Sequence, residues 1–187
     1  MKKTSIKQHL SPYSIYQKRK TTISHAFASA LAPADTYDET LLDEAITFLG
    51  QDPDSDLCCV YCGGIARTWD HLISLVKAGE LRGFGHQVGN MVPCCAECNS
   101  RKGAQDWEQF IELQVPDEST RAQLRSTLSG YVERFAHPLD LAGAKVALPE
   151  QWEKYLHLRK EIWDLMREAD TLAAELRLHL LAARRAG

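Results

Sequence analysis

The sequence predicts an α+β, mostly helical protein in which helices flank a small β–loop–β–α unit clasped at its base by two pairs of cysteines. Three observations predict it. Two C-x-x-C pairs, Cys59-Val-Tyr-Cys62 and Cys95-Ala-Glu-Cys98, bracket a stretch rich in β-branched residues and glycine. Apolar residues recur at helical spacing on both sides of that stretch. The 187 residues are 44% hydrophobic and 25% charged, enough apolar material for a core and unlike a disordered chain.

Residues 39–49, ETLLDEAITFL, place Leu41, Leu42, Ala45, Ile46 and Leu49 on one helical face, with Asp38 as N-cap. Residues 118–135 repeat the pattern with Leu124, Leu128, Tyr131, Val132 and Phe135. A last helix, residues 150–184, carries a stripe of Tyr155, Leu158, Ile162, Leu165, Ala169, Leu172 and Leu176, broadened by Trp152, Leu156, Trp163 and Met166. Either the helix at 118–135 covers this stripe, or a second chain does. A homodimer through the C-terminal helix is the expectation.

Four segments follow in order: a basic N-terminal arm over 1–20, an N-terminal helical segment over 21–57, the clasped core over 58–115, and a C-terminal helical region over 116–187. The formal charge of −3 excludes a globally basic nucleic-acid binder. The arm nevertheless carries Lys2, Lys3, Lys7, Lys18, Arg19 and Lys20 with no carboxylate, whereas residues 35–56 carry eight acids and no base. Phosphate neutralisation is local, so such an arm suits nucleic acid, although a solvated tail has the same composition. No apolar run is long enough to span a membrane. Lys7, Gln8 and His9 interrupt what would be the apolar stretch of a secretory signal, so a cytoplasmic protein is expected.

Six cysteines in a reducing compartment point to metal or chemistry before disulfides. Cys59, Cys62, Cys95 and Cys98 supply the four thiolates of a closed tetrahedral zinc site. The 32 residues between the pairs exceed zinc-ribbon spacing and must fold out and return. Gly63-Gly64 suits the knuckle turn, which needs positive φ. Cys58 and Cys94 are expected to be packing thiols.

The insert reads TWDHLISLVKAGELRGFGHQVGNMVPCCAECNSRKG. Thr68 to Val76 has strand composition. Gly79, Gly83, Gly85 and Gly89 suggest a flexible loop, Asn90-Met91-Val92 a second extended segment closed by Pro93, and the residues after Cys95 a helix start followed by an amphipathic helix. Taken singly, Asn90 fits a hairpin turn, Asn99 a helix cap, His86 a surface histidine that could also approach substrate, and Trp69 and Trp107 core aromatics. Arg101 and Lys102 suit either phosphate contacts or solvated helix charges.

Asp70-His71, Asn90 and Asn99 of CNSRKG, flanked by the two cysteine pairs over roughly 58–107, together resemble the HNH endonuclease family. The resemblance implies a ββα-metal nuclease core in which one divalent ion, Mg²⁺ or Mn²⁺, is held by Asp70 and Asn99. Asparagine stands where the family's name has its last histidine, a variant that favours a hard cation. His71 would be the general base, since an unperturbed imidazole titrates near about 6.5. Asn90 would orient the His71 ring. Phosphodiester cleavage would leave a 5′-phosphate and a 3′-hydroxyl. The implied substrate is double-stranded DNA, with RNA or branched DNA also open, and the setting a bacterial or phage restriction, defence or mobile-element enzyme. The alternative is a non-catalytic zinc-stapled nucleic-acid-binding module. One geometric demand stands out. Neighbours in a regular strand face opposite ways, so Asp70 and His71 require a bulge or strand end to share a site.

Overall fold

Three of the helices begin where an aspartate side chain takes up a free backbone amide. Seven helices are present in a computed structural model that describes residues 4, 6, 10–77 and 80–186, with side chains through 184. They are α1 (Ile15–Leu31), α2 (Glu39–Phe48), α3 (Ala96–Lys102), α4 (Trp107–Gln114), α5 (Glu118–Phe135), α6 (Leu141–Ala147) and α7 (Pro149–Ala186). Asp38 caps α2, Asp106 caps α4 and Asp117 caps α5, each accepting from an amide in the first turn. Four short strands, β1 (Thr68–His71), β2 (Val76–Lys77), β3 (Glu80–Leu81) and β4 (Met91–Cys94), complete an α+β chain. Among the described residues no helix is long and apolar enough to cross a membrane.

The chain divides into two compact units, one from Ala28 to Gly143 and the other from residues up to Phe27 and from Ala144 onward. In the larger unit, β1 pairs antiparallel with β4 in unbroken register, Thr68 opposite Cys94 through His71 opposite Met91. The core beneath gathers Leu72, Val92, Phe110, Ile111, Leu128, Tyr131 and Phe135. Tyr131 does more than fill space. Its hydroxyl donates to the carbonyls of Val88 (2.6 Å) and Met91 (2.9 Å), fastening the chain entering β4 to α5.

The strand expected over Thr68 to Val76 breaks after His71 and extended pairing resumes only at Val76, with Leu72 and Leu75 both buried in between. The glycine loop is packed where a flexible one is expected. A Cβ on Gly85 would stand 2.0 Å from the Pro33 carbonyl oxygen, and one on Gly89 2.2 Å from the Ala136 nitrogen. Those glycines permit close backbone approach. Gly103, at φ +49°, ends α3 and separates it from α4. Trp107 is buried as expected, but Trp69 is 41% exposed, a correction to its reading as core. Its position on β1 points away from the core that Asp70 enters.

In the smaller unit, α7 caps α1 from outside. The Asp170 carboxylate accepts from the Ser14 hydroxyl (2.7 Å) and from the amides of Ile15 (2.7 Å) and Tyr16 (3.1 Å). Further along, Tyr155 donates to the Phe27 carbonyl at 2.8 Å and stacks on the Phe27 ring. Lys18, Arg19 and Lys20 of the expected basic arm therefore lie on a helix, and Lys20 sits over the Tyr16 and Trp163 rings. Lys2, Lys3 and Lys7 lie outside the described residues. Along α7, Leu158, Leu165, Leu172 and Leu176 remain exposed.

Hydrogen bonding, first from Ser14 and then from the Ile15 and Tyr16 amides, holds the Asp170 carboxyl below its ordinary value of 3.8. A depressed carboxyl contributes stability that is complete above its unfolded value and is lost as pH falls through the folded one. Asp170→Ala is therefore expected to lower the melting temperature at neutral pH. Thermal unfolding followed across acid pH should show the variant and the parent converging below the ordinary value.

Candidate functional site

Two knuckles bring four sulfurs together. The first turn closes on itself through Gly63 N–H to the Cys59 carbonyl (2.8 Å) and Cys59 N–H to the Gly64 carbonyl (2.6 Å), with Gly63 at φ +72° as its spacing demands. The second is the start of α3, where the Cys95 sulfur takes up the Cys98 amide as an N-cap. The Sγ atoms of Cys59, Cys62, Cys95 and Cys98 all lie within 4.8 Å of one another, Cys62 and Cys95 at 3.8 Å. Tetrahedral zinc with bonds of about 2.3 Å separates its sulfurs by roughly 3.8 Å, so the set could hold a metal ion such as zinc. Burial works against the Cys59 thiolate, yet hydrogen bonds from the Cys95, Tyr61 and Cys62 backbones bring that thiol down to about 7. Cys94 packs inside the core as expected, 3.9 Å from the Cys59 sulfur. Cys58 does not: it is exposed, tied through its backbone to the Gln51 amide.

Asn90 is fully buried and spends its amide on backbone. Its Oδ1 accepts from the Ile73 N–H at 2.9 Å, and its Nδ2 donates to the carbonyls of Ile73 (3.1 Å) and Gly85 (3.0 Å). Those bonds stitch the two ends of the loop together. The residues just outside the stitch are therefore brought face to face. His71 Nε2 stands 3.1 Å from His86 Nδ1, the rings meeting edge-on. The bonds of the Asn90 amide go to the backbone of Ile73 and Gly85, whereas the resemblance implies that it orients the His71 ring. The sequence offers His86 as a surface histidine that could approach substrate, and no local pattern signals its partner fifteen residues away.

Asp70 takes the opposite face of β1. The register is regular, so no bulge turns it toward His71. It is 4% exposed, and its carboxylate accepts from Tyr61 Oη at 2.8 Å and pairs with Lys102 Nζ at 3.1 Å. Burial pushes the Asp70 carboxyl up, against the Lys102 charge and the Tyr61 hydrogen bond. Lys102 also donates to the His71 carbonyl at 2.7 Å. Its side chain is wholly buried, so it is neither a phosphate contact nor a solvated helix charge. Asn99, one turn earlier on α3, donates from Nδ2 to Thr68 Oγ1 (2.9 Å) and to the Trp69 carbonyl (3.3 Å). Both of those bonds use the amide nitrogen and leave Oδ1 for another partner. Arg101 is half exposed and free to meet an anion beyond a loose 4.0 Å approach to Glu97.

The expected ion-binding pair is therefore only half open. Asn99 offers an oxygen, whereas Lys102 already stands as the cation beside Asp70. Compared with known proteins, the chain matches no family model, no curated protein and no solved structure. The class it defines rests on its own fold: an α+β chain with a cysteine cluster able to take a metal ion, clasping a two-stranded sheet to a helix.

Removing one member of a buried ion pair leaves the other charge uncompensated, at a cost of about 3–5 kcal/mol. Lys102→Met is expected to destabilise the protein by that amount in urea unfolding. Adding Asp70→Asn to it should recover part of the loss, whereas a double variant no more stable than Lys102→Met would remove the pair as the cause.

Proposed function

We propose that this chain is a nucleic-acid phosphodiesterase of the HNH kind, with a structural zinc at Cys59, Cys62, Cys95 and Cys98. The observation that carries the reading is the His71–His86 pair at the end of β1 in the clasped β1–β4 sheet, with Asn99 on the helix that packs against that strand. An imidazole can take a proton from water, and a second imidazole against its Nε2 fixes the ring and shares the proton gained. Arg101 supplies a guanidinium suited to a phosphate.

The Mg²⁺ or Mn²⁺ that the resemblance implies would act on the phosphate as a Lewis acid. Asn99 Oδ1 suits it. Asp70 does not in this arrangement, because Tyr61 and Lys102 hold its oxygens in the core. That same ion pair is what favours the second reading, a zinc-stapled module that binds nucleic acid without cutting it.

A nicking assay decides between them. Supercoiled plasmid incubated with the zinc-loaded protein, with and without Mg²⁺ or Mn²⁺, is expected to relax and to carry 5′-phosphate ends. His71→Ala is expected to lose this cleavage by about 100-fold or more, the usual scale for a general base, while keeping its zinc and its helical circular dichroism. A His71→Ala protein that cuts at the parent rate removes the mechanism, and a parent that binds plasmid without nicking it leaves the binding module.

A further inference from the structure

We propose that the surface beside the histidine pair holds an unpaired nucleobase, so that the preferred substrate presents single-stranded or locally unstacked nucleic acid. The proposal rests on the nucleic-acid reading above and names the substrate form. Trp69 and His71 share one face of β1, by the alternation of a regular strand. Trp69 is 41% exposed, and Tyr37, 77% exposed, borders the same cavity of about 370 Å³. That volume lies within the roughly 300–1,000 Å³ of ligand pockets. His86 lines it too, and its Nδ1 is the atom that touches His71. Whatever occupies the cavity therefore sits next to the imidazole pair.

The chemistry of the lining selects the occupant. Its charged members are Asp35 and Asp38, and no lysine or arginine among the described residues borders it, so a phosphate is disfavoured there. Each carboxylate caps a backbone amide with one oxygen, Asp35 at Val88 and Asp38 at Leu41, and keeps the other for a donor. Gln87 lines the same wall, but its Nε2 is spent on the His137 carbonyl and its Oε1 is buried, so the acceptors open to an occupant are the two carboxylates. Aromatic faces together with unfilled acceptors match the flat π-surface and amino or imino N–H groups of a base. A base inside a duplex has both faces covered and its polar edge paired, so it cannot enter without leaving the stack. The acids that repel phosphate thus become part of the discrimination, with the sugar-phosphate chain left to run past His71.

The test is binding by the full, zinc-loaded chain without added divalent ion. The probes are a short fluorescent single strand, its blunt duplex, and an abasic strand of equal length and charge. The single strand is expected to bind about five-fold or more tighter than the abasic strand, the scale of one aromatic–base stack, and tighter than the duplex. Trp69→Ala is expected to erase that preference and Trp69→Phe to keep most of it. Tyr37→Ala, a change on the surface, should weaken it likewise if Trp69→Ala disturbs the sheet. Equal affinity for the normal and abasic strands, a preference for duplex, an unchanged preference in both alanine variants, or no binding to any probe would overturn the proposal. Cleavage plays no part in the readout. A stacking preference in a protein that never nicks plasmid keeps the base site and discards only the enzyme.

Discussion

Four sulfurs meeting at one point constrain everything near the site. Cys59 and Cys62 lie just ahead of β1, and Cys95 and Cys98 at the junction of β4 and α3. An ion joining them closes a loop of more than thirty residues and fixes α3 across β1. Only with α3 in that place do Asn99 and Lys102, one turn apart, reach Thr68 and Asp70, two residues apart on the strand. The helix and strand periodicities mesh there, and the clasp sets the phase.

Beyond the clasp, the sheet divides its chemistry between two faces. The inward face carries Asp70, its charge paired by Lys102 and its carboxylate hydrogen-bonded by Tyr61, and the arrangement resembles a buried structural pair more than an open ligand set. The outward face carries Trp69 and His71, with His86 drawn in by the Asn90 stitch. The proposed proton transfer and base recognition both belong to the outward face. A divalent ion held by Asn99 draws on α3, and Asp70 could join it only if Lys102 gave way.

Much of this was legible in the chain because it rests on local rules. Asp38 and Asp117 cap the helices expected over 39–49 and 118–135, and the C-x-x-C pairs locate the four converging sulfurs. What escaped depends on partners far away in sequence. The α1 helix has a weak apolar stripe and is capped by Asp170, more than a hundred and fifty residues distant. Gly85 and Gly89 look like flexible positions until Pro33 and Phe135 press against them. Lys102 looks like any helix-end lysine until Asp70, on the buried face, claims it. The alternation of β1 already warned that Asp70 and His71 would part, and the unbroken register shows that they do.

The claim on which these relations hang is that one ion sits among four thiolates. X-ray absorption at the zinc edge of the protein, purified under reducing conditions, tests it most directly. Four sulfur scatterers at about 2.3 Å are predicted. A first shell of nitrogen and oxygen, or fewer than four sulfurs per metal, would contradict it.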